Sequence, residues 1–212
     1  MCSGVATTIV AQWLGTKYLL EARALDRIRD VIRTGGLVVY PTDTAYGLGA
    51  DPFQEKAIDR VSAAKSRPRD QPLSMVVADV PEVFRFGEPT PIAEAFCAKN
   101  LPGPYTVILT ATRQAPHPIV SKDGQIAMRI PGHAIPRLLA KALGPITSTS
   151  ANRHGQPSPR TCNEAREQLG DGVDLYVDGG PTPLGGESSV VDLSGKQAKI
   201  LRQGTSSVGG AA

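Results

Sequence analysis

Between Gly36 and Met75 the chain reads GLVVYPTDTAYGLGADPFQEKAIDRVSAAKSRPRDQPLSM: apolar strand, polar turn, glycine turn, helix, basic knot, apolar strand. Leu37 to Tyr40 is a short apolar run of the kind buried inside a covered sheet, and Pro41 ends it. Glu55 to Ala64 reads as a helix that Pro68 prevents from continuing past Arg67, and Leu73 to Val77 is the next strand. The hydroxyls Thr42 and Thr44 and the cations Lys65, Arg67 and Arg69 fall at the ends of these elements instead of on their faces. Folding alone gives a surface loop no reason to collect hydroxyls, glycines and forked cations together. A site for an anionic ligand supplies one.

The alternation continues along the chain. Apolar positions at Ala24, Leu25, Ile28, Val31 and Ile32 have helical spacing across Glu21 to Thr34, and Gly35-Gly36 stands where a C-cap belongs. Thr90-Pro91 has the form of an N-cap with proline in the first turn, opening a helix to about Lys99. Strands are expected at Tyr105 to Thr110, Ile126 to Ile130 and Ile146 to Ser148, with a helix at Ala134 to Leu143. Thr161-Cys-Asn-Glu164 has the capping-box pattern of a helix running toward Leu169, and short strands follow near Leu175, Val190 and Leu201. This order predicts an α/β fold around one open, twisted, mixed sheet with helices on its faces. It fits a single domain over 1–212, with a core of about 21–204 and a flexible tail at 205–212.

Composition narrows the function classes. With 23 Lys+Arg against 20 Asp+Glu the charge is +3, too mild to announce a nucleic-acid binder. Cys2, Cys97 and Cys162 are odd in number and show no metal-ligand spacing, which reads as a reduced thiol set. The opening MCSGVATTIVAQW lacks a basic n-region, and nowhere do about 18 apolar residues run together. The expectation is a cytoplasmic protein with no membrane span.

Neither a GxxxxGK[ST] phosphate loop nor a GxGxxG after a strand is present, and the SxxK match at Ser62–Lys65 has no accompanying KTG. Lys65, Arg67 and Arg69 have two readings: cations answering a helix C-terminus, or a phosphate grip of forked guanidinium and mobile ammonium. The segment 145–160, PITSTSANRHGQPSPR, is either a loop after a strand end or a set of hydroxyls and amides presented where open sheets bind ligands. Arg129 in the apolar run AMRIP needs an anion, supplied by an internal salt bridge or by a bound carboxylate. His117, His133 and His154 stand at neither triad nor metal spacing, and none is assigned a catalytic role.

In order along the chain, YPTDTAYGLGAD, KSRPRDQPLS, LPGPYTVIL, MRIPGH, SAN…GQPSP, DGG…GESSVVDLSG and ILRQG resemble the YrdC-type threonylcarbamoyl-AMP synthase family, over roughly Leu25 to Gly204. The resemblance implies a YrdC-like open α/β sheet with a concave basic cavity in a short, single-domain form. It implies the reaction of L-threonine, bicarbonate and ATP, with Mg2+ carried on ATP, to threonylcarbamoyl-AMP and pyrophosphate. The product would pass to a downstream tRNA threonylcarbamoyl transferase, with weak tRNA or RNA binding. An RNA-binding module of the same fold without adenylation is the alternative. A carbamoyl-adenylate domain of a hydrogenase maturation protein is a further one; it normally goes with zinc-finger and acylphosphatase-like segments.

By the same resemblance Lys65, Arg67, Gln71, Ser150, Asn152, Ser158 and Arg202 would serve ATP, and Thr44, Arg129, Ser148 and Ser188 threonine. No general acid or base is assigned; Lys65 and Arg67 would act by position and charge. Four places depart from the common pattern: Val76 for a histidine, Gln71 for Asn or Lys, Thr147-Ser148-Thr149 for an Ala-Ala-Pro-like run, and Gln203 for a proline.

Overall fold

The computed structural model describes residues 7–10, 12–14, 17–19 and 22–205. Cys2, the opening segment and all but the first residue of the expected tail lie outside them. The elements run β1 (Thr7–Val10), β2 (Gln12–Leu14), β3 (Lys17–Leu19), α1 (Ala22–Arg33), β4 (Val38–Tyr40), β5 (Gly47–Gly49), α2 (Glu55–Lys65), β6 (Ser74–Val76), α3 (Val80–Phe86) and α4 (Pro91–Asn100). There follow β7 (Tyr105–Thr110), β8 (Gln125–Arg129), α5 (Ala134–Leu143), β9 (Ile146–Thr147), β10 (Thr149–Ser150), α6 (Cys162–Leu169), β11 (Leu175–Asp178), β12 (Ser189–Asp192) and β13 (Lys199–Arg202). The fold is mixed α/β, as expected.

Helix ends follow local chemistry. Gly35, at φ +78, closes α1, its N–H reaching Ile32 O while Gly36 N reaches Val31 O. The Thr90 hydroxyl accepts from Ala93 N and that of Thr161 from Glu164 N. The Glu164 carboxylate reaches back to Arg160 N and not to the cap residue, so the box at α6 is displaced by one residue. The helix α3 was not expected, although Asp79 caps it at Glu82 N and Glu82 returns the bond to Ala78 N.

Where one sheet was expected, the main ladder splits in two, and β2 and β3 form a separate two-stranded pair. A five-stranded sheet has the order β1-β11-β4-β5-β10 and a six-stranded sheet β13-β12-β7-β8-β6-β9. They share one stretch of chain: Ile146 and Thr147 pair with β6, and Thr149 and Ser150 pair with β5. Ser148 is the point of transfer. Both sheets mix parallel and antiparallel neighbours.

Two apolar cores result. In the larger, α2, α3, α4 and α6 pack against Val39, Leu48, Val107, Leu109, Ile126 and Met128. In the smaller, α1 and α5 pack against Val38, Tyr40, Leu175 and Val177. The six-stranded sheet therefore has one face on the larger core; on the other, Val76 and Ile146 join the smaller core, and the side chains of β7, β8 and β12 are left for a different use, following the two-residue period of the strands.

Tyr40 explains the glycines of β5. It pairs across the ladder with Gly47, and its buried hydroxyl donates to Thr147 O at 2.9 Å. A Cβ on Gly47 would stand 2.9 Å from Tyr40 Cζ, and one on Gly49 2.8 Å from Tyr40 Cε1. The strand is written GLG so that a tyrosine ring can lie across it. Gly49→Ala, which leaves the cavity wall untouched, should cost about 1–3 kcal/mol by overpacking. Denaturant melts with an unchanged midpoint would contradict this packing.

Candidate active site

The free face of the six-stranded sheet, the turn after β4 and the Ser148–Ser150 crossing enclose a cavity of about 310 Å³. That is the scale of a small-molecule site. Its wall includes Thr44, Arg67, Arg129, Ser148, Ser150, Ser188 and Arg202 from the expected set. Lys65, Gln71, Asn152 and Ser158 are not in the wall.

The turn is built by Thr42. Its hydroxyl accepts from Thr44 N at 3.1 Å and Ala45 N at 3.3 Å and donates to Ala45 O at 2.6 Å, which holds the Thr44 hydroxyl 3.2 Å away. Arg129, buried in β8, has the internal salt bridge: NH2 donates to Asp43 Oδ1 at 2.7 Å, and NH1 reaches Thr44 Oγ1 at 3.3 Å. Its Nε has no hydrogen-bond partner among the described residues. Val76, opposite Arg129 in the ladder, is buried with Tyr40 and Ile135 in the smaller core and not in the cavity wall.

Lys65 and Arg67 part company at Ser66. That residue ends α2 in the left-handed conformation, φ 51 and ψ 45, with Arg67 N bonded to Ser62 O. Lys65 is thereby turned inward, where Nζ donates to the carbonyls of Ser150 and Asn152 and to Asn152 Oδ1 at 3.4 Å. Burial, with the nearby Arg67 charge, pushes its ammonium down to about 8. Asn152 is spent in the same loop, its amide donating to Arg153 O and Gln156 O. Lys65 and Asn152 thus brace the segment behind Ser150.

Arg67 turns toward the cavity. NH2 donates to the carbonyls of Gln71 and Pro72, and Nε is buried without a partner among the described residues. Burial and the neighbouring Arg69 lower its proton affinity. Gln71 contributes its carbonyl to Arg67, and its own place is in a neighbouring crevice with Pro118 and Lys122. Arg202 pairs with Glu187 at 2.7 Å and grips Ser188 O through Nε and NH2. Ser158 meets Glu187 Oε1 at 3.4 Å.

Sequence reasoning missed Asp43, Ser74, Thr106 and Glu187. Ser74 and Thr106 were findable: Ser74, Thr106, Ile108, Ala127 and Arg129 alternate with the core residues Met75, Val107, Leu109, Ile126 and Met128. Asp43 and Glu187 carried no such signal, because each gains its meaning from a partner distant in sequence. His133 caps α5 at Ile135 N, and burial takes its imidazole down to about 4. Among the described residues no cluster of His, Cys, Asp and Glu could hold a metal ion.

Residues 30–204 match the Sua5/YciO/YrdC family model, described as "Telomere recombination". The chain belongs to this family. It is 36% identical over 175 residues to a threonylcarbamoyl-AMP synthase of Pyrococcus abyssi, covering 82% of this chain and 52% of that protein. It is 35% identical over 183 residues to one from Chromobacterium violaceum, covering 85% and 93%. A crystal structure of P. abyssi Sua5 complexed with L-threonine superposes with a TM-score of 0.86 at 32% identity, over 94% of this chain and 58% of that one. The chain therefore spans about half the length of the archaeal relative.

The buried Lys65 ammonium makes a pH signature. Below about pH 8 folded and unfolded chains both carry its proton, and the burial cost is felt in full. Between about 8 and the ordinary 10.5 the unfolded chain binds more proton, so this group makes stability rise with pH. Chemical denaturation of wild type and Lys65→Met across pH 7–10, without ligand, should show the upward slope in wild type and its loss in the variant. Parallel pH profiles would contradict the buried charge.

Proposed function

We propose that this chain is a threonylcarbamoyl-AMP synthase, using L-threonine, bicarbonate and ATP. The observation that carries this is the gathering of Thr44, Arg67, Arg129, Ser148, Ser150, Ser188 and Arg202 in one cavity wall. The close relatives of that name, and the threonine-bound one of the same fold, support it.

The threonine nitrogen would form a C–N bond to carbon dioxide, its proton passing to solvent, or to the carbon of bicarbonate, whose C–O bond breaks as water leaves; either route gives a carbamate. A carbamate oxygen then attacks the α-phosphorus of ATP; a P–O bond forms, the bond to the β-phosphate oxygen breaks, and pyrophosphate leaves. The attacking group is already an anion, so this step needs no general base. That agrees with a wall holding hydroxyls and guanidinium groups and no histidine.

The side chains would act by placement and charge. Arg129 and Thr44 hold the threonine carboxylate away from the reaction, so that its amine is what the cavity presents. Ser148 and Ser188 lie beside the amino acid. Arg67 and Arg202 take phosphate oxygens, and Ser150 and Ser158 the nucleotide. Lys65 and Asn152 serve the nucleotide through the loop they brace, and Gln71 through the Arg67 guanidinium it orients.

Mg2+ fits as a companion of the nucleotide, since it binds through phosphate oxygens and water with few carboxylates, and Glu187 is the carboxylate of the wall. Bound in that way it would supply neutralisation of phosphate charge. The product, a labile mixed anhydride, would pass to a tRNA threonylcarbamoyl transferase in the cytoplasm.

Pyrophosphate release by the purified chain should require ATP, L-threonine and bicarbonate together. Release that ignores threonine, accompanied by salt-sensitive RNA binding, would favour the RNA-binding module instead. Arg67→Ala should lower turnover by about 100-fold or more while leaving the circular dichroism spectrum intact. Turnover near the wild-type rate would remove Arg67 from phosphate binding.

A further inference from the structure

Behind Arg129 stands a carboxylate that the reading above does not use. Asp43 is 6% exposed and Arg129 also 6%. Asp43 Oδ1 accepts from Arg129 NH2 at 2.7 Å, and Oδ2 accepts from Gly132 N at 3.0 Å. One carboxylate thus joins the turn carrying Thr44 to the turn that follows β8. A buried ion pair is a poor source of stability, because desolvating two charges offsets most of their attraction. It is an effective way to fix direction. A guanidinium is a rigid planar fork, and holding NH2 at Asp43 and NH1 at Thr44 leaves its orientation no freedom. Among the donors left over, that on Nε lacks a partner among the described residues, and Arg129 forms part of the cavity wall.

We propose that Asp43 is a positioning residue for the amino-acid subsite, acting through Arg129 and anchored by the Gly132 amide. It touches no substrate; its work is to set the guanidinium before the amino acid arrives. This rests on the reading of the cavity as a threonine site. A residue that aims a ligand-binding group changes affinity for that ligand alone, whereas a merely structural one lowers every parameter together.

The test combines L-threonine binding by calorimetry with steady-state pyrophosphate release, for wild type, Asp43→Asn, Gly132→Ala, Arg129→Lys and the double variant Asp43→Asn/Arg129→Lys. Asp43→Asn should raise the threonine Kd and KM about tenfold or more, with KM for ATP and kcat at saturating threonine within about twofold of wild type. Gly132→Ala keeps both charges and places a Cβ 3.3 Å from Asp43 Oδ2, so it should move threonine KM in the same direction by a smaller factor. In the Arg129→Lys background, Asp43→Asn should add little. Unchanged threonine affinity, equal losses in the ATP and threonine parameters, or additive effects in the double variant would overturn the proposal. If Asp43→Asn does not fold, an unchanged threonine KM in Gly132→Ala overturns it alone. A wild-type chain that neither binds nor requires threonine overturns the functional reading and this proposal with it. Wild-type binding matched by every variant overturns only the role of Asp43.

Discussion

One stretch of chain, Ile146 to Ser150, belongs to two sheets, and the cavity is organised around its change of partner. Two-residue ladders on either side of Ser148 are too short to hold such a crossing. Side chains supply the rest. The Thr147 hydroxyl accepts from Ala50 N and donates to Leu48 O; Tyr40 donates to Thr147 O; Ser74 donates to Ser148 O. Lys65 then takes up the carbonyls of Ser150 and Asn152 from behind. Hydroxyls that in the sequence suggest a ligand site thus divide into two kinds. Thr147 is consumed by the crossing, while Ser148 and Ser150 are part of the wall the crossing creates.

Charge follows a similar division. Arg129 and Arg202 each meet a carboxylate, Asp43 and Glu187, and both pairs are close. Arg67 meets only carbonyl oxygens, with Lys65 and Arg69 as its charged neighbours. Like charges gathered in a partly desolvated place raise the energy of the folded chain. On the proposed reading an arriving phosphate would relieve that cost, so part of its affinity would come from repulsion already present before it binds. Among the described residues, Arg67 is thus the wall guanidinium without a carboxylate partner.

Much of the fold was legible because its signals are local. Gly35, Thr90-Pro91 and Thr161 act on neighbours within a turn, and the structure uses them as caps. The splitting of the sheet was not legible, since Ile146 to Ser148 reads as one strand and nothing in it marks a change of partner at Ser148. Nor was the separation of Lys65 from Arg67, which depends on a serine adopting a conformation that glycine usually fills. The glycines of β5 read as a turn because their reason, the Tyr40 ring, lies on the neighbouring strand. Arg129 was recognisable as a charge needing an anion, but its partner Asp43 is 86 residues away. Distance in sequence hides such pairs, and only the fold brings them together.

The cavity itself is a consequence of alternation. A sheet whose one face carries Met75, Val107, Leu109, Ile126 and Met128 into a core must place its other side chains opposite. Large apolar groups there would have to be covered by another layer, and long flexible ones would fill the space they were meant to line. Ser74, Thr106, Ala127 and Ser188 are too short to do either. They leave room, and the longer arginines reach the wall only where each is tied down: Arg67 by carbonyls, Arg129 by Asp43, Arg202 by Glu187 and Ser188. A reaction between an anion and a phosphate asks little proton chemistry of its surroundings but demands that charges be fixed beforehand. On the proposed reading, short side chains around anchored guanidinium groups would meet that demand more directly than a titrating histidine.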